Sequence, residues 1–485
     1  MSTYDANGIT LQQVREHVWE IPQDGEMGAP ARVLASEALL DEISDDRTLQ
    51  QLKNATQLPG VQEHALCMPD GHQGYGFPVG GVAGIDAENG CISPGAVGFD
   101  VNCGVRMVRT NLAYGDVEGH ERELVNELFD AIPSGLGGGG VVETDVATVK
   151  DVLDRGTDWA LEEGYATRED LTHCEDEGQR EEADADAVSQ KAKDRGKNQL
   201  GSLGSGNHFL EVQRVTDVFR PEVADAYGLA ENQVVVLIHC GSRGLGHQVC
   251  TDYVRRIEEA HPDLLDRLPD KDLAAAPAGS DLAEEYYRAM GAAINYAWVN
   301  RQLITHRTRK AFEDVFDAEP ENLGMELLYD VAHNIAKKEV HDVDGEDREL
   351  YVHRKGATRA FPAGRPEVPK AYRDVGQPVI IPGSMGAGSY VLRGGDASLD
   401  RTFGSTAHGA GRTMSRTQAK QDFWGEDVRD DLEGQQVYVK AQSGATIAEE
   451  APGVYKDVNE VVRVSEALGI GDPVARTFPV CNIKG

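Results

Sequence analysis

Three glycine-framed turns restrict the folds open to this chain more than any other feature. They read GSLGSG from Gly201, GSRGLG from Gly241 and GSMGAG from Gly383. Glycine reaches backbone conformations closed to other residues, and consecutive N–H groups in such turns can converge on one anion. Two of the turns follow apolar runs, QVVVLIH at 233–239 and VII at 379–381, which read as strands ending in tight loops. Side chains of metal-ligating type stand in glycine-rich or apolar settings of the same kind. Asp100 and Cys103 lie in GAVGFDVNCGVR, Asn207 and His208 in GSLGSGNHFLEV, His239 in VVVLIHCGSRG and His333 in LLYDVAHNIAKK. One carboxylate, one thiol and three imidazoles suffice for two metal ions that share the thiolate. Such ligands beside anion-cradling turns point to a site for a polyphosphate and two cations.

Each motif alone has a plainer reading. Cys103 could be a buried structural thiol. His208 could sit at a capped helix start, and Glu211 could be a surface acid. His239 could be a core histidine bonded to backbone, as could His333 on an apolar helix face. The combination favours the site, because the same ligand chemistry recurs in four separate contexts. His408 differs from these. It lies in FGSTAHGAGRTMSR between small residues, beside Arg412 and Arg416. Small neighbours let a phosphate approach, and neutral imidazole is a competent nucleophile toward phosphorus. A supporting role or a plain loop position are its alternatives.

The chain carries 82 acidic against 47 basic residues, a net charge of −35, and only 15 lysines. The acid is spread along the whole length, which reads as adaptation to high salt rather than as an acidic tail. Generic nucleic-acid binding is disfavoured, because phosphate contacts need Lys and Arg. Two basic clusters remain as candidates for a phosphate-binding strip. One holds Arg354, Lys355, Arg359 and Arg365, the other Arg301, Arg307, Arg309 and Lys310. The seven cysteines are scattered with no CxxC, so a disulfide framework is not expected. No apolar run reaches membrane-spanning length and the start MSTYDANGITLQQV has no signal-peptide pattern. A cytoplasmic setting is expected.

Patterning predicts a helix through Ala35–Lys53, strand-and-turn structure over 61–112, and helix over 118–165 interrupted by the glycine-rich 134–140. Helices are also predicted over 281–317 and 325–340. The acidic stretch 168–196 reads as a solvated surface segment. No fixed-period repeat and no clean linker appear. The chain carries no GxxxxGK[ST] and no Lys-x-Asp-Gly, so a P-loop and the nucleophilic lysine of ordinary ligases are both absent.

In order, the blocks MPDGHQGYGFPVGGVA from Met68, GFDVNCGVR, QLGSLGSGNHFLEVQ, LIHCGSRGLGH, VAHNIAKKE, HRKGATRAFPAG, VIIPGSMGAGSYVL, STAHGAGR, EAPGVYKDV and VCNIKG closely resemble the RtcB-type RNA-splicing ligases. The resemblance covers most of the chain. It implies an α+β fold, one large mixed α/β domain over 1–485 with a central metal- and GTP-binding cleft. It implies two manganese ions, one held by Asp100, Cys103 and His208, the other by Cys103, His239 and His333. It implies guanylate lying among Asn207, His208, Phe209, Leu210, Glu211, His333, Asn334, Pro382, Gly383, Ser384, Met385, Ser389, His408, Gly409, Ala410, Gly411, Tyr455 and Lys484. Asn207 would touch a phosphate, Tyr455 would stack on guanine, and Lys484 and Glu211 would read its edge. His408 matches the histidine that becomes guanylylated. The implied activity is GTP-dependent joining of RNA 2′,3′-cyclic phosphate or 3′-phosphate ends to 5′-hydroxyl ends in tRNA splicing and RNA repair. The implied partners are tRNA exon halves, broken RNA ends and a small helper protein, archease. A two-metal phosphoesterase and a metal-stabilised RNA-binding module are the alternatives. Gly71 in MPDGH departs from the family pattern, where a larger residue is expected, and so does the acidic stretch 168–188.

Overall fold

Two eight-stranded sheets organise the chain, and one of its passages between them, from Glu326–Ala332 to Asn334–Val343, is made through a single residue, His333. The computed structural model describes residues 2–135 and 139–485. The first sheet runs in the order Thr3–Ala6, Ile9–Arg15, Val18–Ile21, Ala31–Leu34, Val61–Tyr75, Phe77–Asp86, Glu346–Lys355 and Asn334–Val343. The second runs Glu326–Ala332, Gly104–Ala113, Gln233–Cys240, Phe209–Val218, Gly471–Lys484, Ser389–Gly394 and Pro378–Ile381. Tyr438–Ala441 joins the second sheet in parallel beside Gly471–Lys484. Pairing is otherwise antiparallel except between Ala31–Leu34 and Val61–Tyr75. The architecture is α+β, as expected.

Gln233–Cys240 shows why these strands form. Its β-branched run suits a pleated surface, and alternate residues fill different cores. Val234, Val236 and Ile238 pack with Ile304 and Phe312 of the helix Asp281–Phe316. Val235 and Leu237 pack on the other face with Leu328 and Tyr329. Burial on both faces contributes roughly 1.5–3 kcal/mol for each such side chain. The helix itself begins where expected, with the Ser280 hydroxyl accepting from the Ala283 N–H at 3.2 Å.

The helix predicted over 325–340 is instead two strands, Glu326–Ala332 and Asn334–Val343, flanking His333. Leu327 to Ala332 are buried on both faces, which erases the period-two signal. The spacing of Leu327, Leu328, Val331, Ile335 and Ala336 then imitates a helix. Ala35–Lys53 resolves into two helices, Glu37–Ser44 and Thr48–Ala55. The 118–165 region holds Glu121–Ala131, Val146–Arg155 and Thr157–Glu162. Of the glycine-rich 134–140, residues 136–138 lie outside the described residues.

The acidic stretch is not simply solvated. Asp170 pairs with Arg309 at 2.7 Å from both carboxylate oxygens; burial would raise its carboxyl, but Arg309 brings it down to about 2. Glu175 is 1% exposed and accepts from the Ala332 N–H at 2.9 Å, from Lys337 at 2.7 Å and from Arg359 at 3.3 Å. The segment thus anchors the two strands on either side of His333.

The two basic clusters are mostly structural as well. Arg301 and Arg354 are fully buried. Arg354 donates to both carboxylate oxygens of Glu339, at 2.6 and 2.9 Å. Arg354→Glu should therefore lower unfolding stability by about 3–5 kcal/mol or more, the scale of a broken buried pair, rather than weaken RNA binding selectively. Denaturant melts of the variant check this.

The net charge of −35 is expected to make stability salt-dependent. Repulsion between exposed carboxylates is screened over about 10 Å at 0.1 M salt and about 3 Å at 1 M. The thermal midpoint should rise between these conditions, as followed by circular dichroism. An unchanged midpoint would remove the high-salt reading.

Candidate functional site

Four neighbouring strands of the second sheet each deliver one ligand-type side chain at the same end. Cys103 precedes Gly104–Ala113, His208 precedes Phe209–Val218, His239 is the penultimate residue of Gln233–Cys240, and His333 follows Glu326–Ala332. Antiparallel register aligns those ends: Cys240 and Ala332 both lie opposite Gly104, and His239 lies opposite Val105 and Phe209. Asp100 enters through a tight turn in which the Cys103 N–H donates to the Asp100 carbonyl at 2.9 Å. Asn102 takes φ 53° at this turn, a region that Asn tolerates better than most residues. The His333 N–H donates to the Cys103 carbonyl at 2.8 Å, fastening the fourth strand end to the turn.

The long helix buttresses this edge. Arg301 donates to the carbonyls of Asn102 and Cys240, both at 2.7 Å, and forms a buried pair with Asp330. Asn300 accepts from the N–H groups of Gly201 and Ser202 and donates to the Gly241 carbonyl. Two of the three glycine turns therefore hang from one helix through the Asn300 side chain, and the adjacent Arg301 holds the carbonyls beside the ligands.

The ligand atoms form two triads, Asp100–Cys103–His208 and Cys103–His239–His333, each with its atoms within 4.8 Å of one another. Cys103 Sγ lies 3.5 Å from His208 Nε2 and 3.3 Å from His239 Nε2, and His239 Nε2 lies 3.2 Å from His333 Nε2. His208 Nδ1 is 3.0 Å from the Leu203 carbonyl, which favours a proton on Nδ1 and leaves Nε2 facing the cluster. Burial pushes the Cys103 thiol up to about 12, and pushes His239 and His333 well below the ordinary imidazole value. Burial would raise Asp100 too, but the neighbouring His208 brings it to about 2. Asp100 Oδ1 is buried without a hydrogen-bond partner. Burial would lower His208, but Cys240, Cys103 and Asp100 hold it well above the ordinary imidazole value. Two imidazoles kept neutral by burial, a third whose proton a cation would displace, an unpartnered carboxylate oxygen and a thiol that only a cation would ionise make a donor set that fits two divalent ions.

His408 stands beside this cluster, its ring centroid 4.9 Å from that of His333. Its Nδ1 lies 2.6 Å from Oδ2 of Asp70, and that same oxygen accepts from the N–H groups of His408 and Gly409 at 2.9 and 3.1 Å. Asp70 is fully buried, and His408 outweighs burial to hold its carboxyl below the usual value. Gly411, at φ 77°, permits this approach: a Cβ there would sit 2.2 Å from the Asp70 carbonyl oxygen. The departure at Gly71 has a similar cause, since a Cβ there would lie 2.2 Å from Cys67 Sγ.

A cavity of about 290 Å³ joins these groups. Its wall includes Asp100, Cys103, Asn207, Phe209, His239, His333, Asn334, Pro382, Gly383, Ser384, His408, Gly409, Ala410, Gly411, Tyr455 and Lys484. Five candidates are not on that wall. His208 lies behind Cys103, and Leu210 and Met385 are core residues. Ser389 supports the turn by accepting from the Gly383 N–H at 3.2 Å. Glu211 is 2% exposed, accepts from Gln213 and Asn482, and is pushed up to about 7 by burial.

Sequence reasoning missed three residues in or just behind the wall of the cleft. Asp70 lies where the pairing of Val61–Tyr75 with Phe77–Asp86 shifts register, and its partner His408 is 338 residues away. Glu450, fully buried, gathers Arg412 at 3.0 Å, Lys484 at 3.7 Å and the Tyr455 hydroxyl. Lys355 was taken for a strip residue. It is buried in the wall, donates to the carbonyls of Tyr75 and Gly95, and is lowered to about 8 by burial. An acid flanked by alanines and glutamate (EEAPG), and an aspartate between Pro and Gly, were the available signals.

The sequence profile of the family described as tRNA-splicing ligase RtcB matches residues 51–485. A protein named tRNA-splicing ligase RtcB from Thermococcus kodakarensis is 53% identical over 478 residues, 98% of this chain and 99% of that protein. Proteins of the same name from Aeropyrum pernix and Archaeoglobus fulgidus are 51% and 50% identical, over 98% of this chain and 100% and 99% of theirs.

Proposed function

This chain belongs to the tRNA-splicing ligase RtcB family, and from that premise we propose that it joins RNA 2′,3′-cyclic phosphate or 3′-phosphate ends to 5′-hydroxyl ends at the expense of GTP. The observation that carries the reading is His408, oriented by a buried carboxylate and placed against two donor triads that share Cys103. Asp70 at Nδ1 keeps a proton there, so Nε2 presents its lone pair. Nε2 attacks the α-phosphorus of GTP; an N–P bond forms and the bond to pyrophosphate breaks. Positive charge then develops on the ring, and Asp70 opposes it, as a buried carboxylate does for a catalytic imidazole.

A cyclic phosphate end is first opened by water to a 3′-phosphate. An oxygen of that phosphate then takes the guanylate from His408, breaking the N–P bond. The 5′-hydroxyl oxygen attacks the RNA phosphorus and expels GMP. A phosphate monoester needs this leaving group before an alcohol can displace anything from it. Divalent cations in the two triads would neutralise phosphate charge and orient the leaving group. The donors alone suit zinc as well as manganese; family membership favours manganese. Asn207 and the 383–388 turn are assigned the phosphates, Tyr455 the guanine face and Lys484 the guanine edge, with Glu211 buried behind the wall and acting on that edge through Lys484. The natural substrates in this reading are tRNA exon halves and broken RNA ends in the cytoplasm, with an archease-type helper as activating partner.

Incubation with GTP labelled at the α-phosphate tests the proposal. Covalent label on the denatured protein supports it, whereas a phosphoesterase or a binding module would retain none. Asp70→Asn should slow labelling by roughly 10²–10⁴-fold, the range for removing the carboxylate behind a catalytic histidine, with metal content unchanged. Loss of metal in that variant would mean that Asp70 holds the site's shape instead.

A further inference from the structure

Tyr75, Phe99 and His247 form a contiguous aromatic row at the rim of the cleft. The Phe99 and His247 rings stack with centroids 4.8 Å apart and planes 25° apart. Tyr75 meets Phe99 edge-on, at 6.1 Å and 83°. Tyr75 and Phe99 line the cavity that holds His408, and His247 is exposed beyond them. Phe99 immediately precedes the ligand-type Asp100.

The backbone beneath the row is fixed while its leading ring is left in water. Tyr75 ends the strand Val61–Tyr75, and Gly76, at φ 66°, turns the chain into Phe77–Asp86. The buried Gln51 amide donates to the Gly74 carbonyl at 2.8 Å, and its oxygen accepts from the Gly74 N–H at 3.0 Å. The buried Lys355 ammonium donates to the Tyr75 carbonyl at 2.7 Å. Yet Tyr75 is 66% exposed. A lone apolar side chain on a surface needs no explanation, but an exposed ring on a pinned hairpin tip, set edge-on to a stacked pair beside a reactive cleft, does. Charge sharpens the point. On a chain of net charge −35, the candidate strip residues Arg301, Arg354 and Arg359 are buried in ion pairs and do not reach an RNA backbone. Stacking on aromatic faces is sequence-tolerant, because every base has a π-face, and it does not depend on counterion release.

We propose that this row is a stacking platform for an unpaired nucleobase next to a reacting RNA end, a base site distinct from Tyr455. The inference rests on the RNA-joining reading and specifies how the RNA is gripped. The test uses the metal-loaded full chain and fluorescence anisotropy in molar salt. The probes are short single-stranded RNAs ending in a 3′-phosphate or a 5′-hydroxyl, each with the terminal base present or replaced by an abasic unit. The parent protein should bind one of the base-bearing strands about 5- to 100-fold more tightly than its abasic counterpart. Tyr75→Ala should weaken the base-bearing strand and lose most of that discrimination, whereas Tyr75→Trp should keep it. Equal binding of base-bearing and abasic strands by the parent overturns the proposal, and so does undiminished discrimination by Tyr75→Ala. Covalent labelling by GTP, measured on the parent preparation, reports separately on the ligase reading. Its absence would defeat that reading while leaving the binding comparison to decide the platform.

Discussion

Replacing His408 by alanine is expected to abolish covalent labelling by GTP and to lower joining of 3′-phosphate ends by at least about a thousand-fold, the scale on which losing a covalent nucleophile acts. Folding and metal content should be unchanged, because His408 belongs to neither triad. The parent adduct should vanish in acid and survive alkali, as a phosphoramidate does and a phosphate ester of serine does not. The variant should still seal an RNA whose 3′ end was guanylylated beforehand, since the histidine acts only in the steps before that. Gel analysis of the three reactions, labelling, overall joining and sealing of the activated end, checks this. Labelled His408→Ala protein would show that another side chain is the nucleophile.

Cys103→Ala is expected to have the second largest effect, this time on the metals. Its sulfur belongs to both triads, so affinity should fall at least about 100-fold at both sites. His208→Ala should weaken mainly one, because Cys103, His239 and His333 remain together. The apo fold should tolerate the cysteine change well, since burial keeps the metal-free thiol neutral and no buried charge is stranded. Metal analysis after gel filtration, with a melt of the metal-free protein alongside, separates the two effects. Unchanged metal content in Cys103→Ala would disprove the shared ligand.

Local chemistry was legible in the sequence and long-range placement was not. Asp100, Cys103, His208, His239 and His333 could be named because polar side chains stood out from glycine-rich or apolar surroundings, and the structure brings them together. The glycine turns likewise announced tight loops. His333 was assigned to the right neighbourhood on the wrong element, because strands buried on both faces carry no alternation. The basic clusters misled because charge in a sequence does not reveal its partner: Glu339 is 15 residues from Arg354, but Asp170 is 139 from Arg309. Asp70 escaped for the same reason, since it acquires a role only through contact with His408, 338 residues away.

The crossing at His333 has a mechanical consequence. The edge strands of the two sheets are joined there by one residue, and one residue offers no slack. Any sliding of one sheet against the other must move that imidazole relative to Cys103 and His239, which ride on the second sheet alone. The cluster is therefore a gauge of how the two halves of the molecule sit together. An ion bound to it would resist that motion as a rivet resists shear, and amide exchange in the first sheet should slow when metal binds, although the first sheet contributes no other donor to either triad.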